Sequence, residues 1–326
     1  MSPKIVAEAG QCMQGDMALA IKMAQDAKNA GAYGFKVQLL KPETIAAADA
    51  PKYWRDDYPT KNQREAFTLA GLVDYGAWRE VKEACDEIGI VFFATPFDLE
   101  AVDALHQIGV THFKVASGDL TYKALIETCH ATGGQVILST GAAYQIEIMR
   151  ALCWAPHATL LVCTLSYPTP LAAAHLARID SLHHAFPGTP VGYSDHTSHN
   201  GTALAAAAMG ATMLEVHYTH DKTAGDVPDH AMALDPDGLA EYVANAQVGA
   251  LLRGSRDLVP CSFEDAARFG ARRSAHATRD LLAGETLTER DVVFVRPDGP
   301  IQPWHDVVGR KVLEDTNRGA QIRALR

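Results

Sequence analysis

His196 and His217 follow two apolar runs, residues 189–194 and 212–216, that read as neighbouring strands. Imidazoles at the ends of adjacent strands can converge on one divalent ion. Asp195 and Glu215 stand close in sequence, placed to orient a ring nitrogen or balance charge. With no third protein ligand in view, the coordination sphere is open and completed by water and substrate oxygens. That suits Mn²⁺, or Mg²⁺, better than a closed structural zinc. The plainer alternative is that either histidine caps a strand through hydrogen bonds.

Lys36 and Lys114 lie in the runs 34–38 and 112–116, and Thr95, Ser117 and Ser139 add hydroxyls at corresponding places. Two ammonium groups ringed by hydroxyls suit a small anion, a phosphate or a carboxylate. A lysine inside Phe35-Lys36-Val37-Gln38 is costly unless it faces a polar interior. Schiff-base lysines and simply solvated strand-end lysines are the rival readings. Glu8 closes the first run, 4–8, where a carboxylate can serve as general base or orient a hydroxyl, or merely form a salt bridge. Asp229, in Pro228-Asp229-His230, either folds back over the site or caps a turn.

These residues need a scaffold that brings distant segments to one place. Eight strand-like runs (4–8, 34–38, 90–95, 112–116, 135–140, 159–163, 189–194 and 212–216) nearly all end in a polar or ionisable group. Helical periodicity fills the gaps, at 16–30, 75–89 and 99–108, the last capped by Asp98. Strand alternating with helix predicts parallel strands, and chemistry at each carboxyl end predicts an α/β fold of the (β/α)8 TIM-barrel type. The barrel is expected over 1–252, a linker with a short helix over 253–273, and a small β-rich domain over 274–326. The last is broken by Gly284, Pro297, Gly299, Pro300, Pro303 and Gly319 and is too small for a well-buried core of its own.

Composition narrows the class. The chain has 326 residues and a formal charge of −10, without a long basic run, so no nucleic-acid partner is expected. Six cysteines without a CxxC pair read as reduced thiols in a cytoplasmic protein. The apolar stretch 202–216 is interrupted by Gly210 and reads as a helix followed by a strand, so no membrane partner is expected. The amino terminus enters a strand at once and shows no charged-then-apolar leader.

The ordered motifs resemble those of the sialic acid (N-acetylneuraminate) synthases, which condense phosphoenolpyruvate with an N-acylated amino sugar. They include Ile5-Val6-Ala7-Glu8-Ala9-Gly10, Ala94-Thr95-Pro96-Phe97-Asp98, Phe113-Lys114-Val115-Ala116-Ser117-Gly118-Asp119, Gly192-Tyr193-Ser194-Asp195-His196-Thr197 and Glu215-Val216-His217-Tyr218-Thr219. The end of the chain, with Arg296-Pro297-Asp298-Gly299 and Val308-Gly309-Arg310, resembles the family's antifreeze-like (SAF) domain. The resemblance implies a divalent metal, usually Mn²⁺, on His196 and His217. It implies a donor site from Lys36, Thr95, Lys114, Ser117, Ser139 and Ser194. Glu8, Tyr167 and Asp229 match positions around the sugar and the attacking water, and Gln38 and Asp119 lie within matched motifs as substrate-binding positions. Arg296 matches an arginine inserted into the partner's barrel in a domain-swapped homodimer.

Four departures concern the acceptor. Cys12-Met13-Gln14-Gly15 replaces the family's usual Asn-His-Asn-Gly, Leu165 replaces an Asn, Asp119 replaces a Glu, and the turn 225–230 is longer. Lost polar partners imply an acceptor other than N-acetylmannosamine. The expected activity is a metal-dependent transferase joining phosphoenolpyruvate to a sugar-type aldehyde, releasing phosphate and giving a 2-keto-3-deoxy, nonulosonic-acid-like product. A Schiff-base pyruvate aldolase and a catalytically lapsed sugar-binding relative remain the alternatives.

Overall fold

A computed structural model describes residues 2–54, 60–69, 73–224 and 228–326, and its chain divides into two compact units, Met1–Gly254 and Ser255–Arg326. In the first, eight parallel strands close into a barrel in sequence order, β8 returning to β1. They are β1 (Lys4–Gly10), β2 (Gly34–Leu39), β3 (Val91–Pro96), β4 (His112–Val115), β5 (Gln135–Ser139), β6 (Thr159–Val162), β7 (Val191–Asp195) and β8 (Met213–His217). Each coincides with a run expected from sequence, its ends displaced by at most two residues.

The period-two alternation of a strand sorts the barrel interior into layers. Val6, Phe93, Ile137, Leu161 and Met213 form a separate apolar cluster. Two residues further along the same strands come Glu8, Thr95, Ser139 and Glu215, all buried and all polar. The apolar layer closes the floor, and the polar layer makes the mouth at the carboxyl ends. Alternate residues such as Phe35, Val37, Phe92 and Leu138 join the large outer core, where buried helix residues such as Met23, Val81 and Leu105 cover the strands.

Local signals set the helices. The Asp16 carboxylate accepts from Leu19 N at 3.0 Å and starts α1 (Met17–Asn29). Two short helices follow, α2 (Pro42–Ile45) and α3 (Gln63–Leu69), and α4 (Trp78–Ile88) ends at Gly89, whose φ of 76° closes the helix in the left-handed region. Asp98 caps α5 (Leu99–Gln107) through Ala101 N at 2.8 Å, as its sequence position predicts. Then come α6 (Lys123–Ala131), α7 (Gln145–Trp154), α8 (Arg178–Ala185), α9 (Gly201–Ala208) and α10 (Pro236–Arg253). The run 202–216 is helix α9 followed by strand β8, and no helix of the described residues is long and apolar enough to cross a membrane. Among the described residues all six cysteines are free, four of them buried.

The second unit carries α11 (Asp265–Ala271) and an antiparallel pair, β9 (Ser274–Ala277) with β10 (Val292–Val295). Its core is a cluster of eight buried residues, Ala275, Ala277, Leu281, Leu287, Ile301, Val307, Val312 and Ile322.

Candidate active site

Every residue of the first unit expected to act in catalysis, donor binding or metal binding lines one cavity of about 330 Å³ at the barrel mouth. Arg296, in the second unit, is exposed and directly follows β10.

The floor of the cavity is a buried charge network. Lys36 Nζ lies 2.7 Å from Glu8 Oε2 and 3.7 Å from Glu215 Oε2, and donates to Thr95 Oγ1 at 2.8 Å. Lys114 Nζ lies 3.4 Å from Glu215 Oε1, which also accepts from Ser194 Oγ at 2.9 Å. Strand register explains the assembly: Glu8 pairs with Lys36 on one side and His217 on the other, and Ser194 pairs with Glu215. Burial would lower the pKa of Lys36, but Glu215 and then Glu8 raise it above its usual value. Burial likewise pushes Glu215 up, but Lys114 and then Lys36 outweigh it and hold the carboxyl at about 2. Both groups are charged at neutral pH.

Of the two roles expected for Glu215, orienting a ring nitrogen or balancing charge, it takes the second, chiefly toward the lysines, because it sits level with Lys36 and Lys114 in the polar layer. Asp195 needs a correction. It orients no histidine ring: one carboxylate oxygen accepts from Thr197 N and Oγ1 at 2.8 and 2.7 Å, and the other from Tyr242 Oη at 3.1 Å and from Thr202 Oγ1. Ser194 and His196 face the mouth, so the pleat turns Asp195 outward toward α9 and α10.

The two histidine rings converge, with centroids 5.3 Å apart. His196 Nδ1 meets the Thr164 carbonyl oxygen at 2.8 Å; a carbonyl only accepts, so this nitrogen carries the proton and Nε2 keeps its lone pair. Burial, helped by His217, lowers the His196 pKa to about 3, so the ring is neutral. His217 Nδ1 lies 3.5 Å from Asp229 Oδ2. Burial works against the charged ring of His217, but Asp229 and then Glu8 and Glu215 raise its pKa overall. Gly10, at φ +54°, makes the approach of Asp229 possible, since a Cβ there would stand 2.9 Å from Asp229 Oδ2.

Two ring nitrogens beside a carboxylate are a fit for a hard or borderline divalent ion with open positions. Among the described residues no group of three or more His, Cys, Asp or Glu is arranged to hold a metal, so an ion here would rest on the two rings and on oxygens from water or substrate. The charge balance points the same way. The two ammonium groups are already matched by two carboxylates, so a donor with a phosphate and a carboxylate needs further positive charge beside it.

The remaining candidates take distinct places. Ser139 Oγ is buried without a hydrogen-bond partner, a donor free for an incoming anion. Ser117 Oγ accepts from Gly141 N at 3.1 Å and touches Cys163 Sγ at 3.0 Å, so its lone pairs are partly used. Gln38 donates to Glu8 Oε1 at 2.7 Å, fixing that carboxylate. The Tyr167 ring lies over His196, centroids 4.2 Å apart.

Cys12 and Met13 do not line the cavity; both are buried in the outer core. The turn after β1 is closed by Cys12 N to the Ala9 carbonyl at 2.9 Å, and Cys12 stays near enough to Asp229 and Glu8 for burial and their charges to raise its pKa well above the usual value. The acceptor argument therefore rests on Leu165 and Asp119, which do line the cavity. Of the longer turn 225–230, residues 225–227 lie outside the described residues. An apolar wall that includes Ile45, Tyr53, Trp54 and Phe67 also lines the cavity and is not among the expectations from sequence. An aromatic pair, Tyr53-Trp54, in a long segment after a barrel strand was the available signal.

Burial raises the Asp119 pKa to about 6. A raised carboxyl contributes stability that is complete below its unfolded value of roughly 3.9 and is lost as pH rises through about 6. The ionised form is the better acceptor of sugar hydroxyls. We expect kcat/KM for the acceptor to climb as pH rises through about 6. Asp119→Asn should remove that step; a step that persists in the variant belongs to another group.

Three comparisons place the chain among known proteins. Residues 23–257 match the NeuB family and 272–326 match the SAF domain. An N,N'-diacetyllegionaminic acid synthase of Campylobacter jejuni is 33% identical over 98% of both chains. The human N-acetylneuraminate-9-phosphate synthase is 31% identical over 95% of this chain and 88% of its own. The crystal structure of an N-acetylneuraminic acid (sialic acid) synthetase from Leptospira borgpetersenii, in complex with citrate, superposes with a TM-score of 0.73. It is 31% identical and covers 82% of this chain and 90% of that one.

Proposed function

The chain belongs to the NeuB family and ends in a SAF domain, and on that premise we propose that it condenses phosphoenolpyruvate with a sugar-type aldehyde. Phosphate is released and a 2-keto-3-deoxy, nonulosonic-acid-like sugar acid is formed. The observation that carries this reading is the buried Lys36–Glu8–Lys114–Glu215 network beside the His196–His217 pair. It is a donor floor and an electrophile site within one cavity.

Lys36, Lys114 and the free hydroxyl of Ser139 hold the donor's phosphate and carboxylate. Fixing the donor beside the acceptor leaves C3 of the enol within reach of the aldehyde carbon. As the C2–C3 π pair bonds to the aldehyde carbon, the aldehyde oxygen takes up a proton. Water adds at the resulting C2 cation, losing its proton to Glu8. The tetrahedral adduct expels phosphate as its C2 hydroxyl gives up its proton to become the ketone. Gln38 and Lys36 keep the Glu8 carboxylate aimed for that transfer. His196 and His217 would hold a divalent ion, Mn²⁺ or Mg²⁺, whose contribution is to polarise the aldehyde oxygen.

A Schiff-base aldolase, with Lys114 or Lys36 as nucleophile, fits less well, since Lys36 is held protonated by Glu215 and Glu8 and Lys114 is ion-paired with Glu215 at 3.4 Å. Phosphate release from phosphoenolpyruvate with a panel of aldoses tests the proposal, and borohydride with pyruvate tests its rival. Stoichiometric borohydride trapping, without phosphate release, would replace the synthase by the aldolase. Absence of both would favour the lapsed sugar-binding relative.

The working enzyme is a domain-swapped homodimer in the cytoplasm, with Arg296 completing the partner's site. In support, the second unit has a core of only eight buried residues and exposes Leu258, Val259, Phe263 and Trp304. An inactive Arg296→Ala protein mixed with an inactive Glu8→Gln protein should regain activity on subunit exchange, because one site per hybrid is intact. No recovery after demonstrated exchange would place Arg296 in its own subunit's site or outside the mechanism.

A further inference from the structure

Arg296 stands just past the end of the β9–β10 ladder, whose last pair is Val295 with Ser274. It is exposed, and its guanidinium makes no hydrogen bond or ion pair with the described residues. The backbone that follows it is tied at three consecutive residues. Ser274, fully buried, donates through Oγ to the Pro297 carbonyl at 2.7 Å. The Gln321 amide directs both N–H groups to the same stretch: Nε2 donates to Ser274 Oγ at 2.6 Å and to the Asp298 carbonyl at 3.0 Å. Asp298 N donates to the Phe269 carbonyl at 2.8 Å, and the Asp298 carboxylate accepts from Gly299 N at 2.9 Å and Gln302 Nε2 at 2.8 Å.

This brace is anchored in the core of its unit. Gln321 lies opposite His276 across an antiparallel bridge, and Ile322 N donates to the Ala275 carbonyl at 2.9 Å. Ile322 and Ala275 are both core residues there. Gly299 leaves the amide its room, since a Cβ at that position would stand 1.9 Å from Gln321 Nε2. The relay from amide to hydroxyl to carbonyl is a chain in which each bond polarises the next. Pro297 and Pro300 are exposed, so little apolar burial orders this loop and the polar ties must do so. An ordered base under an arginine whose head has no partner is the arrangement of a group held ready for a ligand.

The geometry points to Gln321 and Ser274 as positioning residues for Arg296, fixing the backbone from which its guanidinium is presented. This rests on the reading that Arg296 completes the partner's site, and it names what holds the arginine in place for that task.

Gln321→Glu tests the inference, because the new side chain keeps the old size and shape while a carboxylate only accepts. It should lower kcat/KM about 100-fold, the scale of a misplaced positioning group, with an unfolding temperature close to wild type. Gly299→Ala reaches the same end by another route, its Cβ displacing the amide, and should give the same loss. Subunit exchange separates positioning from a merely structural role. Mixed with an inactive Glu8→Gln protein, Gln321→Glu should regain activity, because the intact Glu8 site of the hybrid receives Arg296 from a subunit that keeps Gln321. Mixed with Arg296→Ala it should stay inactive, because both copies of the arginine loop are then defective. Any other pattern of recovery overturns the inference, as does near-wild-type activity in both variants while Arg296→Ala is inactive. Should one variant fail to fold, the other carries the exchange test. Wild-type activity in Arg296→Ala would instead remove the reading of Arg296 on which the inference rests, an outcome read from that protein alone.

Discussion

Replacing Lys36 with methionine should cost about 3–5 kcal/mol of stability, the scale for stranding buried charges, and should eliminate donor binding. The ammonium is 3% exposed and stands between Glu8 and Glu215, themselves buried. Without it two carboxylates share a low-dielectric pocket with Lys114 as the remaining cation of the network. The effect has a pH signature whose sign is fixed. Glu215 has a folded pKa of about 2, so its ion pairs contribute stability that is present above the unfolded value of roughly 4.3. That contribution is lost as pH falls toward about 2. In the variant the carboxyls can protonate, so the gap to wild type should narrow on acidification from about 5 downward. Denaturant unfolding across that range, with calorimetric titration of phosphoenolpyruvate at neutral pH, makes the measurement. A loss below about 1 kcal/mol with donor affinity intact would mean the network is dispensable.

Exhaustive chelation should abolish turnover, with Mn²⁺ restoring it, and His217→Ala should lose about a thousandfold in kcat/KM, near 4 kcal/mol. The prediction follows from two converging rings, one held neutral with its tautomer set by Thr164. It follows also from the charge count, since the two lysines are spoken for by Glu8 and Glu215. Paramagnetic resonance of added Mn²⁺ gives a second reading: one tightly bound ion per wild-type chain and much weaker binding in His217→Ala. Full turnover after exhaustive chelation, or wild-type rates in the variant, would remove the metal from the mechanism.

Much of this molecule was legible because its signals are local and repeat. Eight apolar runs with chemistry at their ends specify parallel strands, and helical periodicity between them specifies the crossovers. Lys36 and Lys114 within apolar strands announced a polar interior, because a buried ammonium demands one. What failed did so over facing and pairing. Asp195 was grouped with His196 by adjacency, although adjacent strand residues face opposite sides. Cys12 and Met13 stand in a stretch that the resemblance ties to the acceptor, but both are buried and neither lines the cavity.

By itself the sequence determined the barrel, its open end, and which residue types gather there, since strand periodicity and polarity are written residue by residue. Only the tertiary structure decided the partners. Closure brings β8 beside β1, which sets Glu8 opposite His217 and places Glu215 in the same layer as both lysines. Likewise Tyr53 and Trp54 reach Phe67 on α3 and Tyr167 beyond β6 only once the loops pack over the mouth. Charge compensation and ring contacts depend on distances of a few ångströms between segments far apart in the chain. No periodicity encodes such distances; barrel closure and loop packing set them.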